Sequence, residues 1–228
     1  MLLVNFLHKK DFLNSHQHEI ININKQPYGV IMSNILSSLS KTVISGFILL
    51  TLIIFLISGI TEFYFDYTFF TFLFRWLHVL AGVMWIGLLW YFNFVQIPSM
   101  PNIPDDQKPA VSKFIAPKAL FWFRWAALAT LVTGLILAYL NGYLHDAMLL
   151  NTYDAKYFMI GVGMWLGLIM AFNVWVIIWP NQKKALGIVS VDAGEKASAA
   201  KKAMLFSRTN TLLSIPMLYC MVGAQNLY

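Results

Sequence analysis

Five apolar runs separated by short polar segments dominate this chain. A helix that crosses a bilayer needs about 20 apolar residues at a rise of about 1.5 Å each. The runs that reach or approach this length cover residues 42–60, 69–97, 120–140, 157–179 and 211–227. The pattern predicts an all-α integral membrane protein in which an N-terminal anchor helix, residues 41–61, precedes a four-helix transmembrane bundle within residues 68–228. Pro216 lies inside the last run, where neighbouring helices can satisfy the carbonyl that it frees.

The first 40 residues have a different character, because they are polar and rich in Asn and Lys. Such a composition favours disorder. Residues 1–40 are therefore predicted to be a disordered leader, or an extension upstream of a true start at Met32. The apolar core of residues 42–60 is longer than the roughly 7–15 residues of a signal peptide, which favours a retained anchor. We find no internal repeat in the sequence.

The composition supports a membrane protein and excludes several other classes. Hydrophobic residues make up 59% of the chain and charged residues 11%, whereas soluble domains average about 25% charged residues. The net charge of +6 comes from short segments between the apolar runs, so no continuous basic face exists for nucleic acid. A single cysteine, Cys220, excludes a disulfide framework and a thiolate metal cluster. The lipid bilayer is the predicted partner.

Lysine and arginine are concentrated in alternate segments between the runs. Fourteen of the 16 precede the first run, lie between the second and third, or lie between the fourth and fifth; the exceptions are Arg75 and Lys156. Because positively charged loops stay in the cytoplasm, this distribution predicts five spans with the N-terminus inside and the C-terminus outside.

One histidine lies deep in a predicted span. His78 is about nine residues, or roughly 13 Å, from the outer end of its run, where an ionisable side chain is a functional candidate. Histidine commonly ligates haem iron, so haem b is one hypothesis; a hydrogen-bonded structural histidine and a proton or substrate role are the alternatives. Gly82 and Gly87 would allow another helix or a flat cofactor to approach. The cofactor-binding candidates are Arg75, His78, Met164 and Met221, with His78 as the metal ligand.

Amide and arginine side chains gather at the predicted cytoplasmic ends of the runs. Amides are unfavourable in hydrocarbon unless paired, so these side chains should meet inside the bundle. They form either interhelical hydrogen bonds or, together with a guanidinium, a site for a small planar polar ligand or a quinone headgroup. The catalytic candidates are Arg124, Asn173 and Asn210, and the substrate-binding candidates are Asn93, Asn181, Gln182 and Arg208.

A series of short strings runs in order through residues 69–226. They are Arg75-Trp76-Leu77-His78-Val79, Trp85-Ile86-Gly87, Trp122-Phe123-Arg124-Trp125, residues 167–174, Pro180-Asn181-Gln182-Lys183, residues 208–210 and Ile215-Pro216. This series resembles the membrane domain of the bacterial, cytochrome c-coupled urate oxidase (urate hydroxylase) family. The resemblance implies a multi-pass protein of the bacterial inner membrane that oxidises urate and passes electrons to cytochrome c.

The chain also departs from that family's pattern. Ala126 stands where the family has a glutamate, Gly161 and Thr209 stand where it has histidines, and a further family histidine at the end of the last helix, near Gln225, is also absent. A pair of spans between the third and fourth helices is missing, and residues 42–60 are added. The chain contains no Cys-x-x-Cys-His haem-attachment motif, so the electrons would pass to a separate periplasmic cytochrome c.

Two functions follow from the resemblance and its departures. The first is a membrane redox protein that moves electrons from a small organic substrate, with urate as the candidate, toward cytochrome c. The alternative is a non-catalytic accessory subunit that keeps the bundle but has lost the cofactor ligands, and stabilises a larger membrane complex with other subunits. A carrier is disfavoured because no span holds a buried acidic residue to couple ions.

Overall fold

The computed structural model describes residues 27–60 and 64–228, and all the regular structure in these ranges is helical. The helices are α1 Pro27–Leu36, α2 Leu39–Ile60, α3 Tyr67–Trp90, α4 Ala116–Leu140, α5 Leu144–Met148, α6 Ala155–Phe172, α7 Trp179–Ala185 and α8 Ala193–Asn226. Short α-helical turns Ile97–Ser99 and Lys108–Ala110, a 3-10 turn Met100–Asn102 and π-helical segments Tyr91–Gln96, Val111–Ile115 and Asn173–Ile178 continue or precede the long helices. The predicted all-α fold is confirmed over the described ranges.

Residues up to Tyr64 form a unit of their own, in which α1 and α2 are described. The helix α2 coincides closely with the predicted anchor. The predicted disordered leader is wrong for residues 27–36, which form α1; Pro27 suits the first turn of a helix and an apolar segment follows it. Residues 1–26, with His8, His16 and His18, lie outside the described residues.

Four described stretches are long and apolar enough to cross a membrane, judged by length and composition. They are Leu39–Gly59, Tyr67–Asn102, Lys108–Leu140 and Ala155–Ala185. The fifth predicted span is the second half of α8 and is not among them, because Asn210 near its start and Gln225 and Asn226 at its end lower its mean hydropathy. The helix α8 nevertheless continues through Pro216.

The second unit, from Phe65 onward, is a bundle in which α3 packs against α4 and α6 packs against α8. Three glycines make these contacts close. A Cβ atom at Gly134 of α4 would lie 2.7 Å from Cε1 of His78, and Cβ atoms at Gly163 and Gly223 would lie 3.0 Å and 2.8 Å from Cys220 and Met159. At Gly82 a Cβ atom would be in van der Waals contact with α4, 3.9 Å from Cγ2 of Thr130, whereas at Gly87 it would meet no other element within 4 Å. The approach of a flat cofactor at these two glycines stays a prediction.

All three π-helical segments named above end two residues before a proline that breaks the regular hydrogen-bond ladder. Tyr91–Gln96 precedes Pro98, Val111–Ile115 precedes Pro117, and Asn173–Ile178 precedes Pro180. Proline has no N–H for the carbonyl four residues earlier, and a wider turn accommodates that loss. The first and third of these segments also contain one buried asparagine each, Asn93 and Asn173.

The helix pairing reveals an internal repeat, so the conclusion that the sequence contains none is wrong. Residues 84–93 of α3 and its π segment read MWIGLLWYFN, and residues 164–173 of α6 read MWLGLIMAFN. The partner helices agree more weakly, since KALFWFR at 118–124 of α4 corresponds to KAMLFSR at 202–208 of α8. The two copies face different surroundings: Trp85 is 1% exposed and Trp165 is 42% exposed. The α3–α4 and α6–α8 pairs are therefore similar in sequence but packed differently.

The two ends of the bundle differ in charge. One end, here named the basic end, carries residues 98–118 and 180–208, with nine of the chain's 16 lysines and arginines. The start of α6 lies at the opposite end, where Asp154 accepts a hydrogen bond from the backbone N–H of Lys156 at 2.8 Å. At the basic end, Asp192 caps α8 by accepting from the N–H of Glu195 at 2.8 Å. Such caps satisfy N–H groups that a helix start leaves unpaired.

Candidate functional site

Three polar side chains form a ladder along the buried face of α8. Ser207, Asn210 and Ser214 are spaced three and four residues apart, so they lie on one face of the helix. Asn210 is fully buried and accepts a hydrogen bond from Asn173 Nδ2 at 2.9 Å, while its own Nδ2 donates to the carbonyl of Met170 at 2.9 Å. The predicted catalytic candidates Asn173 and Asn210 therefore meet, as interhelical hydrogen-bond partners.

The same ladder connects α8 to α3 and its π segment. Asn93 Nδ2 donates to Ser207 Oγ at 2.8 Å and to the carbonyl of Leu89 at 2.9 Å. Trp90 Nε1 donates to Ser214 Oγ at 3.1 Å. Ser207 and Ser214 were missed by the sequence analysis, although their spacing with Asn210 in an apolar stretch was a usable signal. Together, these hydrogen bonds join α8 to α6 on one side and to α3 on the other.

A cavity of about 120 Å³ lies beside this ladder at the basic end. Its polar lining consists of Gln96, Gln182 and Ser207, and its apolar lining includes Phe92 and Phe123. The remaining lining residues are Ile97, Leu120, Ile178, Ala185, Ala200, Ala203 and Met204. Pockets for drug-sized ligands measure about 300–1,000 Å³, so the cavity fits a single small ring system rather than a haem or a quinone with its tail.

Two hydrogen-bond acceptors at this site are buried without a partner among the described residues. They are Gln96 Oε1, on a side chain that lines the cavity, and Asn93 Oδ1, whose amide nitrogen is already bonded to the cavity-lining Ser207. A buried acceptor without a partner destabilises a protein by about 1–3 kcal/mol. A ligand with N–H donors would satisfy such atoms.

Six of the seven predicted catalytic and substrate-binding residues lie outside the cavity lining, and Gln182 is the exception. Asn181 donates at 2.7 Å to the carbonyl of Ile177 in the π segment that leads into α7, and Arg208 is exposed on α8. The guanidinium of Arg124 lies over the ring of Trp179, with Cζ 3.8 Å from the ring centroid. Of the predicted substrate-binding residues, the structure brings Gln182 to the cavity and Asn93 to its edge.

His78 faces α4 and not the lipid. Its Nδ1 lies 2.9 Å from the carbonyl oxygen of Thr130 and 3.5 Å from Oγ1 of Thr133. A backbone carbonyl can only accept, so Nδ1 carries the proton and Nε2 is left with its lone pair. The ring edge packs on Gly134, as the hypothetical Cβ position showed. These contacts favour the structural role of His78 in joining α3 to α4.

The other cofactor-binding candidates lie in separate surroundings. Arg75 is exposed and donates to Asn141 Oδ1 at 3.5 Å, toward the end of the bundle that bears α5. Burial raises the pKa of the nearby Tyr143 phenol, and the charge of Arg75 partly opposes this rise. Met164 and Met221 pack against an apolar cluster around Ala138 and Ala224.

The described residues do not fit a haem. Within the long helices they offer the imidazole of His78, whose edge packs on Gly134, and two methionines that are already engaged in packing. The second described imidazole, His145, lies in the short helix α5 and lines the hollow at that end of the bundle. Groups of three or more His, Cys, Asp or Glu side chains able to hold a metal are also absent from the described ranges. Ligation of haem by His78 therefore stays a prediction, and these contacts add no support to it.

Two of the departures from the urate oxidase pattern have a structural explanation. A Cβ atom at Gly161 would collide with the carbonyl oxygen of Ala147 in α5, so no larger side chain fits there. Ala126 is buried between helices in the core. Thr209 and Gln225 are exposed. None of the four positions retains a titratable group.

A larger hollow of about 420 Å³ lies at the α5 end of the bundle. It is lined by Tyr139, Gly142, Leu144, His145 and Met148. The hollow is an open surface depression and contains none of the predicted site residues. The cavity at the basic end is therefore the better candidate.

Comparison with protein families matches residues 143–226 to the family described as urate oxidase N-terminal. The match covers α5 to α8, including Asn173, Asn210, Gln182 and Ser207. It confirms the resemblance over that part of the chain. No curated protein and no solved structure gives a significant match.

Proposed function

We propose that this chain is an inner-membrane redox protein related to urate oxidase, and that its own part in the reaction is to bind a urate-type ring in the cavity at the basic end. The family match over residues 143–226 supports the relationship. The cavity supports a urate-type ligand. Its size suits one small ring system, and the buried oxygen atoms at the site that lack a hydrogen-bond partner are acceptors for N–H groups.

The observation that carries the proposal is the unpaired oxygen Gln96 Oε1 in the cavity wall. Urate is a planar ring system whose edge alternates N–H donors and carbonyl acceptors. Its N–H groups would pair with Gln96, while its carbonyl groups would accept from the amide of Gln182 or the hydroxyl of Ser207. The phenyl rings of Phe92 and Phe123 would contact the face of the ligand.

The proposed topology has five spans, with the basic end in the cytoplasm and the C-terminus outside, as the distribution of lysine and arginine supports. The cavity then opens on the cytoplasmic side, whereas the cytochrome c acceptor is periplasmic. About 30 Å of hydrocarbon separates the two. The electrons therefore need a carrier across the membrane, and we assign this carrier to a partner subunit because the described residues do not fit a haem.

The reaction balances with water and an external oxidant. Hydroxylation of a urate-type ring by water adds one oxygen to carbon and releases two protons and two electrons. The two electrons reduce two molecules of a one-electron acceptor of the cytochrome c type. The residues of the cavity bind and orient the ring in this scheme, since none of the lining side chains titrates near neutral pH.

Equilibrium binding of urate to the purified protein in nanodiscs tests the proposal. Gln96→Leu removes the unpaired acceptor and should weaken urate binding by roughly tenfold, the equivalent of about 1.4 kcal/mol for one hydrogen bond in a buried site. Gln225→Leu is the matched control, because Gln225 is exposed on α8, and it should bind as the unmodified protein does. Absence of urate binding, or equal affinities for the two variants, would refute the proposed site.

The accessory subunit is the second candidate, and one observation favours it: no acid or base lines the cavity. Urate-dependent reduction of added cytochrome c by the purified membrane complex separates the two functions. Loss of this reduction with Gln96→Leu supports the redox protein. The accessory role is supported if the complex keeps full turnover with Gln96→Leu and dissociates when this chain is removed. A Soret absorption band that is present in the unmodified protein and absent in His78→Ala would support the hypothesis that His78 ligates haem.

A further inference from the structure

Two cations share one indole ring at the basic end. Arg124 on α4 places its Cζ 3.8 Å from the centroid of the Trp179 ring and 5.5 Å from that of Phe121. Lys183, one turn after Trp179 on α7, places its Nζ 5.8 Å from the same Trp179 ring. We name these four residues the Trp179 cluster. The aromatic faces attract both cations, and so hold two like charges near each other.

Neither cation of the Trp179 cluster has a carboxylate partner among the described residues. The ion pairs in the described ranges are Lys108 with Asp105 and Lys184 with Glu195. A guanidinium stacked on a ring uses its face for the stacking, so its N–H donors remain available in the plane. The cluster therefore presents two positive charges and several donors without an anion to receive them.

The surroundings of the cluster are those of a membrane interface. Phe121, Trp122 and Trp125 are exposed at this level of α4, with exposed fractions of 45%, 57% and 46%. Tryptophan and tyrosine gather at the headgroup level of bilayers, and basic side chains beside them face anionic headgroups on the cytoplasmic side. Arg124 is not part of the cavity lining, to which α4 contributes Leu120 and Phe123.

We propose that the Trp179 cluster binds the phosphate group of an anionic phospholipid, with the acyl chains lying along Phe121 and Trp122. This site goes beyond the proposed function, because it lies apart from the cavity and needs no substrate. The phosphate would accept hydrogen bonds from Arg124 and pair with the charge of Lys183. The bound lipid would also join α4 to α7, which supply the two cations.

Native mass spectrometry with a thermal-stability assay tests the proposal on the full chain, purified in detergent and stripped of lipid. The probes are phosphatidylglycerol, phosphatidylcholine and inorganic phosphate. Phosphatidylglycerol should bind and raise the unfolding temperature, whereas phosphatidylcholine should not. An equal effect of inorganic phosphate at the same concentration would overturn the lipid assignment in favour of a soluble anion.

Arg124→Gln removes the charge but keeps a planar polar group, and it should weaken phosphatidylglycerol binding at least fivefold, the equivalent of about 1 kcal/mol for one cation near a membrane surface. Arg208→Gln is the matched control, because Arg208 has the corresponding place in the internal repeat, is exposed and stacks on no described ring. It should bind as the unmodified protein does. Lys183→Gln supplies the second test if Arg124→Gln does not fold. Equal lipid binding by a cluster variant and the control would overturn the site.

Discussion

The contact of His78 with Gly134 gives the sharpest prediction about the bundle. In Gly134→Ala the new Cβ atom would lie 2.7 Å from Cε1 and 2.9 Å from Nδ1 of the imidazole, which is closer than side chains normally approach. The ring would have to move, and its 2.9 Å hydrogen bond to the carbonyl of Thr130 would lengthen or break. Overpacking costs about 1–3 kcal/mol and the lost hydrogen bond about 1 kcal/mol, while alanine regains about 1 kcal/mol of helix propensity.

The expected net loss for Gly134→Ala is therefore about 1–3 kcal/mol, and the unfolding temperature in detergent should fall by about 2–4 °C for each kcal/mol. Gly87→Ala is the matched control, because no described atom lies within 4 Å of a Cβ at Gly87. It should leave the unfolding temperature unchanged or slightly higher. In a His78→Ala background the clash is absent, so Gly134→Ala should then be neutral or stabilising. A Gly134→Ala protein as stable as the control, or one equally destabilised without the imidazole, would show that the ring does not pack on α4.

Three further substitutions test other contacts by the same unfolding assay. Asn210→Ala leaves the amide of Asn173 without its acceptor and should cost about 1–2 kcal/mol; no loss would show that the buried pair contributes nothing. Gly161→Ala should cost at least as much as Gly134→Ala because backbone opposes the new methyl, whereas Gly167→Ala, with no described atom within 4 Å, should be tolerated. Asp192→Ala removes the cap of α8 and should cost about 1 kcal/mol, and an Asp192→Asn protein should recover most of it.

The helices of this protein could be predicted from the sequence because their apolar runs are long and their breaks are prolines, glycines and charges. Their pairing could not, since a run that is apolar all round contains no signal for the face that meets a neighbour. Gly134 illustrates the difficulty. Nothing in its local sequence distinguishes it from Gly87, yet one faces an imidazole and the other has no described neighbour within 4 Å of a Cβ. The internal repeat was equally hard to see until the helix pairs indicated which segments to compare.

The sequence predicts which polar side chains lie in the bundle, but it predicts the contact partners of only some of them. Asn173 and Asn210 meet as predicted, because amides in an apolar environment need partners. Arg124 was predicted to join them at a substrate site, but it stacks on Trp179 outside the cavity. A long cation can reach any of several aromatic faces within a turn or two, so its contact partner depends on helix rotation, which the sequence does not determine.

Both helix pairs, α3–α4 and α6–α8, contribute residues to the cavity lining, but the family match covers the second pair and not the first. The matched residues 143–226 contribute Gln182 and Ser207, which can donate to a ligand, and the Asn173–Asn210 pair, which holds α6 to α8. The unpaired acceptor Gln96 Oε1 belongs to the segment that continues α3, outside the match. The residues that follow α3 and line the cavity, such as Gln96, can therefore give this chain a ligand preference different from that of urate oxidase. A donor-rich ring such as urate should then depend on Gln96 more than on Gln182, and a ligand that binds equally well after Gln96→Leu would have to be one without N–H groups.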